Sequence, residues 1–151
     1  MIDAIKEAVL AVIVVVGQLV LSCAVPKTEV KATIDPTKEN VPVFVFETGK
    51  DRSVTCFDVT VFEYASDKPK EMWAISVNPP QSREFGPQAI RELHYGTVPP
   101  GFHEVRTAAP LQTGTDYIIW AYLPHAGNKW KFRITENQQG RRIVHIERWA
   151  G

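Results

Sequence analysis

Short runs of β-branched and aromatic residues, each bounded by turn-forming residues, recur from residue 41 to the end of the chain. The clearest run contains Trp130, Phe132 and Ile134, which alternate with charged or polar residues. A period of two is typical of a strand that buries one face. The same criteria predict strands over Val41–Thr48, Ser53–Tyr64, Met72–Asn78, Asp116–Leu123, Lys129–Thr135 and Arg141–Trp149. Short strands at this spacing indicate an all-β sandwich or barrel.

The C-terminal runs also predict how the strands are arranged. A polar turn separates Lys129–Thr135 from Arg141–Trp149, so we expect these two strands to pair as a hairpin. Asp116–Leu123 is apolar on both faces, which is typical of a central strand. Because Trp120 and Trp130 lie in these apolar strand runs, we expect both side chains in the core.

An apolar run, Ala8–Leu21, lies near the start of the chain. It is shorter than the about 20 apolar residues that a membrane-spanning helix needs, and it falls within the about 7–15 residues of a secretory signal core. It is apolar all round, whereas a buried helix of a soluble domain would keep a polar face. We therefore expect a signal peptide, with an uncleaved N-terminal anchor helix or a helix of a soluble domain as the alternatives.

The residues that follow this run, Val20-Leu21-Ser22-Cys23, resemble the lipobox of bacterial lipoproteins, with an aliphatic residue three before the Cys and a small residue directly before it. The resemblance implies cleavage before Cys23 and acylation of its thiol and of the new amino terminus. Two or more acyl chains give stable membrane anchoring. Ala24, in place of an Asp, resembles the outer-membrane sorting pattern of enteric bacteria. That implies the periplasmic face of the outer membrane, with inner-membrane anchoring as the alternative.

These observations divide the chain into three parts. Residues 1–22 are predicted to be a lipoprotein signal peptide, residues 23–40 the lipidated Cys and a polar tether, and residues 41–151 a single β-sandwich domain. The tether prediction rests on polar composition, two prolines and charges of both signs. Cys56 lies in an apolar strand context, so we expect it to be a buried, unreactive thiol.

A motif before the strand predicted at Asp116–Leu123 resembles fibronectin type III and related immunoglobulin-like domains. Leu111, Gly114 and Tyr117 stand at the spacing found at the corner before the penultimate strand. The resemblance implies that the Tyr117 hydroxyl bonds back to the chain across the corner, while Gly114 supplies the backbone freedom of the turn. We therefore expect an immunoglobulin-like antiparallel β-sandwich after the N-terminal apolar helix, with a transthyretin-like sandwich as the alternative.

The region before this corner is harder to assign from its pattern. Gln88–Leu93 is compatible with one helical turn. The segment Ile90–Phe102 resembles segments of uncharacterised bacterial lipoproteins, a resemblance that implies no activity. Its residues predict a short strand followed by a Pro-Pro-Gly turn that cannot continue a β-ladder.

Charge and motif content argue against several classes of function. The 17 Lys and Arg residues equal the 17 Asp and Glu residues, whereas capture of nucleic acid needs a basic surplus. The two Cys and four scattered His residues show no metal-ligand spacing. The chain has no nucleophile elbow and no phosphate-binding loop. We expect no metal, no cofactor, no nucleic-acid partner and no enzymatic activity.

Two groups of side chains are candidates for contact with a ligand or partner. Trp73 and Trp149 are the aromatic candidates, because an exposed indole offers a platform on which a sugar can stack. The basic candidates, which lie on the predicted C-terminal hairpin, are Lys131, Arg133, Arg141 and Arg142. Such a basic face would suit anionic lipid headgroups or peptidoglycan carboxylates. The alternative is a solvated strand face whose charges discourage edge pairing.

The function expected from these features is that of a bacterial cell-envelope lipoprotein with a non-catalytic binding or structural β-sandwich. The lipid bilayer would be a partner through acylated Cys23, and envelope proteins or peptidoglycan would be further partners. Two alternatives remain. An assembly lipoprotein of the type VI secretion kind is similar in length, in its Cys after the signal and in its transthyretin-like sandwich. A carbohydrate- or peptidoglycan-binding module would expose two or more Trp side chains on one face.

Overall fold

The computed structural model describes residues 27–38, 41–48, 53–64, 68–78, 84–124 and 127–149, which we call the described residues. They form eleven β-strands and no helix. The strands are β1 (Thr28–Asp35), β2 (Val41–Thr48), β3 (Val54–Cys56), β4 (Asp58–Glu63), β5 (Lys70–Ser76), β6 (Gln88–Ile90), β7 (Glu92–His94), β8 (His103–Arg106), β9 (Asp116–Tyr122), β10 (Gly127–Glu136) and β11 (Arg142–Arg148). The prediction of an all-β domain is confirmed.

The N-terminal predictions fall outside this part of the chain. The signal peptide, the N-terminal helix and Cys23 all lie outside the described residues. Within the ranges that the structure describes, no helix has the length and apolar character needed to cross a membrane.

The described strands form three antiparallel sheets. One has three strands in the order β1-β2-β7, and a second has six strands in the order β11-β10-β9-β4-β5-β8. The third pairs β3 with β6. The predicted C-terminal hairpin is confirmed, because β10 and β11 pair from Trp130 opposite Arg148 to Glu136 opposite Arg142.

Aromatic side chains hold the three-stranded sheet against the six-stranded sheet. Phe44 of β2 meets Phe132 of β10 with ring centroids 5.1 Å apart, and Phe46 meets Trp130 at 6.1 Å. Both pairs are edge-to-face, a favoured arrangement of aromatic rings, and all four rings are buried. Ile134 is buried as well, so β10 shows the alternation that its sequence predicts. The intervening residues of β10 therefore point away from the core.

The predicted corner bond is present at the start of β9. The Gln112 backbone N–H donates to the Tyr117 hydroxyl oxygen at 2.7 Å, and the Gly114 N–H donates to the Ile134 carbonyl oxygen at 2.8 Å. Gly114 has a φ of 84°, a conformation that glycine adopts without steric cost. Leu111 packs against the core cluster. Because Tyr117 is fully buried, its ring and hydroxyl tie the turn to the core.

The predicted tether is wrong for Thr28–Asp35, which forms β1. This segment pairs antiparallel with β2 along its whole length. Val30, Ala32 and Ile34 belong to the core or pack against it, while the residues between them are charged or polar. The average composition of the segment is polar, but its period of two is that of a strand with one buried face.

Two other assignments differ in detail from the prediction. Ser53–Tyr64 is divided between β3 and β4, which belong to different sheets, and Phe57 lies between them. Gln88–Leu93 forms no helical turn. Its residues lie in β6, which pairs with β3, and in β7, which pairs with β2. A six-residue segment carries too little periodicity to separate these outcomes from sequence.

Replacing Tyr117 with Phe tests the corner bond. The change keeps the buried ring but removes the acceptor of the Gln112 N–H. A partly buried donor left without a partner costs about 1–3 kcal/mol, so we expect the free energy of unfolding in urea to fall by about that amount. Tyr122→Phe is the matched control, because Tyr122 is 49% exposed, and its effect should stay within about 0.5 kcal/mol. Equal losses in the two variants would contradict a stabilising role for the corner.

Candidate functional site

The side of the six-stranded sheet that faces away from the core carries most of the exposed aromatic surface, and we call it the outer face. Along β9, Tyr117, Ile119 and Ala121 are buried, whereas Trp120 is 38% exposed and Tyr122 is 49% exposed. Exposed apolar surface gathered in one place marks an interaction site more often than scattered apolar residues do. The outer face is therefore the candidate functional surface.

The prediction that Trp120 lies in the core is wrong. The run Asp116–Leu123 is apolar at nearly every position, and such a run suggests a strand buried on both faces. In the structure only one face of β9 is covered by the core. The outward residues are Ile118, Trp120 and Tyr122, so the functional candidates that the sequence interpretation missed are aromatic members of an apolar strand. The strand register indicates their exposure. Trp120 lies opposite Lys129 of β10, which is exposed, and opposite residues of an antiparallel pair lie on the same face of the sheet.

An open groove of about 390 Å³ lies on this face and is called here the aromatic groove. Its lining includes Thr60, Ala74, Ser76, Val105, Trp120 and Tyr122, together with the carboxylates of Asp58 and Glu71. The strand register accounts for its shape. Trp120 lies beside Thr60, which lies beside the small Ala74, and Tyr122 lies beside Asp58, which lies beside Ser76. The aromatic rings of β9 therefore form one wall, and small polar or apolar side chains form the floor.

The opposite wall comes from the edge strand β8. The register between β5 and β8 shifts between Ala74 and Ile75, and Val105, which falls at this irregularity, is 50% exposed. A bulge turns a side chain out of the regular alternation of a strand. Here it leaves an apolar side chain facing the indole of Trp120 across the groove.

Neighbouring residues hold Trp120 in place. The Lys129 Nζ lies 5.3 Å from the centroid of the indole ring, within the range of a cation–π contact. A Cβ atom at Gly127 would lie 2.7 Å from the Trp120 Nε1, a distance that requires one of the two groups to move. The glycine at position 127 thus leaves room for the indole, and Lys129 covers part of its ring.

A cluster of charged side chains lies on the same face, nearer the other end of the strands. The Arg133 Nε and the Lys131 Nζ lie 2.6 and 3.0 Å from the two carboxylate oxygens of Asp116. The hydrogen bond from Arg133, together with the contact from Lys131, holds the pKa of Asp116 below its ordinary value of 3.8. Two of the predicted basic contact residues are therefore partly neutralised by one carboxylate.

Trp149 joins this cluster. Its ring centroid lies 5.2 Å from that of Tyr64, and the Lys131 Nζ lies 5.8 Å from the centroid of each of the two rings. Trp149 is half-buried in this contact. The structure therefore brings together the predicted contact residues Lys131, Arg133 and Trp149 on one surface, close to but outside the aromatic groove.

The two remaining arginines lie at the start of β11. Arg141 is exposed, and its backbone N–H donates to the Asn137 Oδ1 at 2.9 Å. The half-buried Arg142 places its Nη2 3.4 Å from the Leu111 carbonyl oxygen and lines a second cavity, of about 510 Å³, with Lys38. These arginines do not share a site with Lys131 and Arg133.

Trp73 is a buried core residue, and its assignment as a contact residue is wrong. Its side chain has 0% exposure and packs edge-on against Tyr95, with ring centroids 5.3 Å apart. A side chain without exposed surface cannot stack on a ligand. Trp130 is buried, as expected, at 2% exposure.

The three-stranded sheet carries a histidine between two carboxylates. The His94 Nε2 lies 2.7 Å from the Glu92 Oε1, and the His94 Nδ1 lies 3.4 Å from the Asp35 Oδ2. Hydrogen bonds from Thr37 lower the pKa of Asp35. Neither the aromatic groove nor the cavity beside Arg142 is lined by these three residues. Among the described residues, no group of three or more His, Cys, Asp or Glu side chains is arranged to hold a metal ion.

Cys56 lies on β3 with 1% of its surface exposed. Burial, with a smaller contribution from the nearby charge of Asp58, raises the pKa of its thiol to about 12. Because the thiolate is the reactive form of cysteine, this side chain behaves as a small apolar core residue.

Comparisons with other proteins identify no relative of this chain. No family model, no curated protein and no solved structure matches it.

Replacing Asp116 with Asn tests the charged cluster. Since the folded state lowers the pKa of Asp116, its contribution to stability is present above the ordinary pKa of 3.8 and is lost as the pH falls through the folded-state value. At pH 7 we expect the Asn variant to lose up to about 1 kcal/mol of unfolding free energy, as for a partly exposed ion pair. The difference from wild type should shrink as the pH falls below 3.8. Glu147→Gln, on the same face, is the control, and a pH-independent loss in Asp116→Asn would contradict the ion-pair explanation.

The reactivity of Cys56 can be measured in a Cys23→Ala variant, which leaves Cys56 as the remaining cysteine. We expect a disulfide reagent at pH 8 to modify the folded protein at least 100-fold more slowly than the protein unfolded in denaturant, because burial both shields the thiol and suppresses its ionisation. Rapid modification of the folded protein would show that β3 opens readily.

Proposed function

We propose that this chain is a bacterial cell-envelope lipoprotein in which a non-catalytic immunoglobulin-like β-sandwich, anchored through acylated Cys23, binds a ligand or partner on its outer face. The anchoring part of the proposal is supported by Val20-Leu21-Ser22-Cys23 and by the apolar run before it. The sorting pattern at Ala24 favours the periplasmic face of the outer membrane, with inner-membrane anchoring as the alternative.

The immunoglobulin-like assignment is supported by strand order and by the corner. In such sandwiches strands A, B and E share one sheet, and strands C, F and G share the other. The chain follows this order if β1, β2 and β7 correspond to A, B and E, and β4, β9 and β10 correspond to C, F and G. The corner at Tyr117 then lies at the start of strand F, where these domains have it. On this assignment β11 is an additional strand beside G.

The observation that carries the binding function is the aromatic groove on the outer face. Trp120, Tyr122 and Val105 are each more than one third exposed, although each is large and apolar. The groove also contains hydroxyl and carboxylate groups, and a few polar groups within an apolar cleft are typical of a binding site. Binding is favoured over catalysis because the described histidine that meets carboxylates, His94, lies on the other sheet.

Carbohydrate or peptidoglycan binding is the second candidate, and one observation favours it. Trp120 and Trp149 both lie on the outer face, as their contacts with Lys129 and Lys131 indicate. Two indole rings on one sheet face are a suitable platform for sugar rings.

The anchor is tested by the intact mass of the protein purified from bacterial membranes. We expect the wild type to begin at Cys23 and to carry added acyl mass, because the Cys23 thiol is the lipid acceptor. Cys23→Ala should keep its full N-terminus, carry no lipid and yield at least tenfold less acylated protein in the membrane fraction.

The control is Cys56→Ala, which removes the buried thiol but leaves the proposed acceptor in place. It should be cleaved and acylated like the wild type. A wild-type protein that retains Met1 and carries no lipid would refute the lipoprotein assignment and would leave an uncleaved anchor or a soluble helix as the explanation of Ala8–Leu21.

A further inference from the structure

We propose that the aromatic groove binds a short glycan of uncharged or positively charged sugar units, with one sugar ring against Trp120 and the next against Tyr122. This inference rests on the proposed binding function of the outer face and specifies its ligand class. A sugar ring has an apolar C–H face and an edge of hydroxyl groups. The groove offers the complement of both, since flat aromatic rings bind the face and oxygen acceptors bind the edge.

The spacing of the two rings suits consecutive units of a chain. Trp120 and Tyr122 are two positions apart on β9, so their Cα atoms are separated by about 6.8 Å along the strand and both side chains point outward. Each ring has its own polar neighbour across the ladder, Thr60 beside Trp120 and Asp58 beside Tyr122. The groove therefore presents two aromatic rings along the strand, each with a side-chain oxygen beside it.

The charge of the groove selects among sugars. Its described lining contains the carboxylates of Asp58 and Glu71 and no cationic side chain. The Lys129 ammonium contacts the Trp120 ring from the β10 side, opposite Thr60, and does not line the groove. Arg106 neutralises Glu71 through a contact of 2.9 Å, whereas the Asp58 side chain has no hydrogen-bond or ion-pair partner among the described residues. A carboxylate in that position accepts hydrogen bonds from hydroxyl or ammonium groups. It repels the carboxylate of an acidic sugar.

The groove is also preorganised. Lys129 contacts the Trp120 ring on the side away from Thr60, where Gly127 leaves room for the indole. Phe57 packs beside Tyr122 with ring centroids 5.8 Å apart. Ala74 contributes the smallest side chain of the floor and leaves the space that a ligand would fill. Ring positions that are fixed before binding reduce the entropy lost on binding.

The experiment measures binding of three trisaccharides to the full chain in a sugar-free detergent, by calorimetry and by tryptophan fluorescence. The trimers are of N-acetylglucosamine, which is uncharged, glucosamine, which is cationic, and galacturonic acid, which is anionic. We expect the first two to bind and the third to bind at least tenfold more weakly. Stronger binding of the acidic trimer, or saturable binding of trilysine without binding of any trisaccharide, would overturn the assignment.

Four variants locate the bound sugar. Trp120→Ala should weaken binding about tenfold, the scale of one aromatic contact, and Ala74→Leu should weaken it by filling the floor. Gly127→Ala keeps the indole but displaces it, so a loss of binding there shows that the position of the ring matters. Trp149→Ala distinguishes the groove from the rest of the outer face, because it removes the indole of the charged cluster and leaves that of the groove. The control is Phe85→Ala, which removes an exposed aromatic ring that does not line the groove. Affinities are compared only among variants whose thermal unfolding midpoint lies within a few degrees of that of the wild type.

The outcomes separate this inference from the proposed anchor. If Trp149→Ala loses as much affinity as Trp120→Ala, the sugar binds over the charged cluster and the groove assignment is wrong. A protein that is acylated at Cys23 but binds none of the trisaccharides overturns the inference while the lipoprotein assignment stands. A protein without lipid that binds them in the groove supports the inference and refutes the anchor.

Discussion

Contact between the aromatic side chains of β2 and β10 determines which face of every strand in the six-stranded sheet is available to solvent. Phe44 and Phe46 pack against Phe132 and Trp130, and a strand displaced by one residue would reverse the direction of all its side chains. Because these rings lie in the core, the pairing of β10 with β9 places Trp120 among the side chains that point away from the core. The candidate site is thus a consequence of how the core is packed, and it needs no special local conformation beyond the bulge at β8.

Much of the fold can be predicted from the periodicity of the sequence, and periodicity also explains why strand β1 was missed. The strand Val41–Thr48 and the hairpin of β10 and β11 are marked by alternation or by dense β-branched and aromatic content, and the structure places them as predicted. Strand β1 was not predicted because the apolar residues of its buried face are few, namely Val30, Ala32 and Ile34. Averaged composition reports polarity, whereas burial depends on the alternation of individual residues.

The candidate site was less predictable, because exposure of an indole depends on partners that lie far away in sequence. Trp73 and Trp120 both lie in apolar strands, yet one is enclosed by the core and the other is open to solvent. The basic residues illustrate the same limit. Lys131 and Arg133 suggest a cationic surface in sequence, but Asp116 from the adjacent strand contacts both. The partly neutralised cluster attracts a distant anion less strongly than two free cations would, and the aromatic groove is therefore the better candidate for a binding site.

The geometry of the sandwich connects the groove to the proposed anchor. β1 begins five residues after Cys23, so a chain acylated there could place the start of β1 at most about 18 Å from the lipid. Because Val30 pairs with Phe46 and Phe46 packs on Trp130, the start of β1 lies at the same end of the sandwich as the start of β10. That end also carries Tyr122, which is paired with Gly127. An anchored domain would therefore hold the aromatic groove near the membrane surface, where a ligand fixed in the envelope is met at high effective concentration. In an anchored protein that local concentration would offset the weakness of stacking contacts, each of which contributes about 0.5–1.5 kcal/mol.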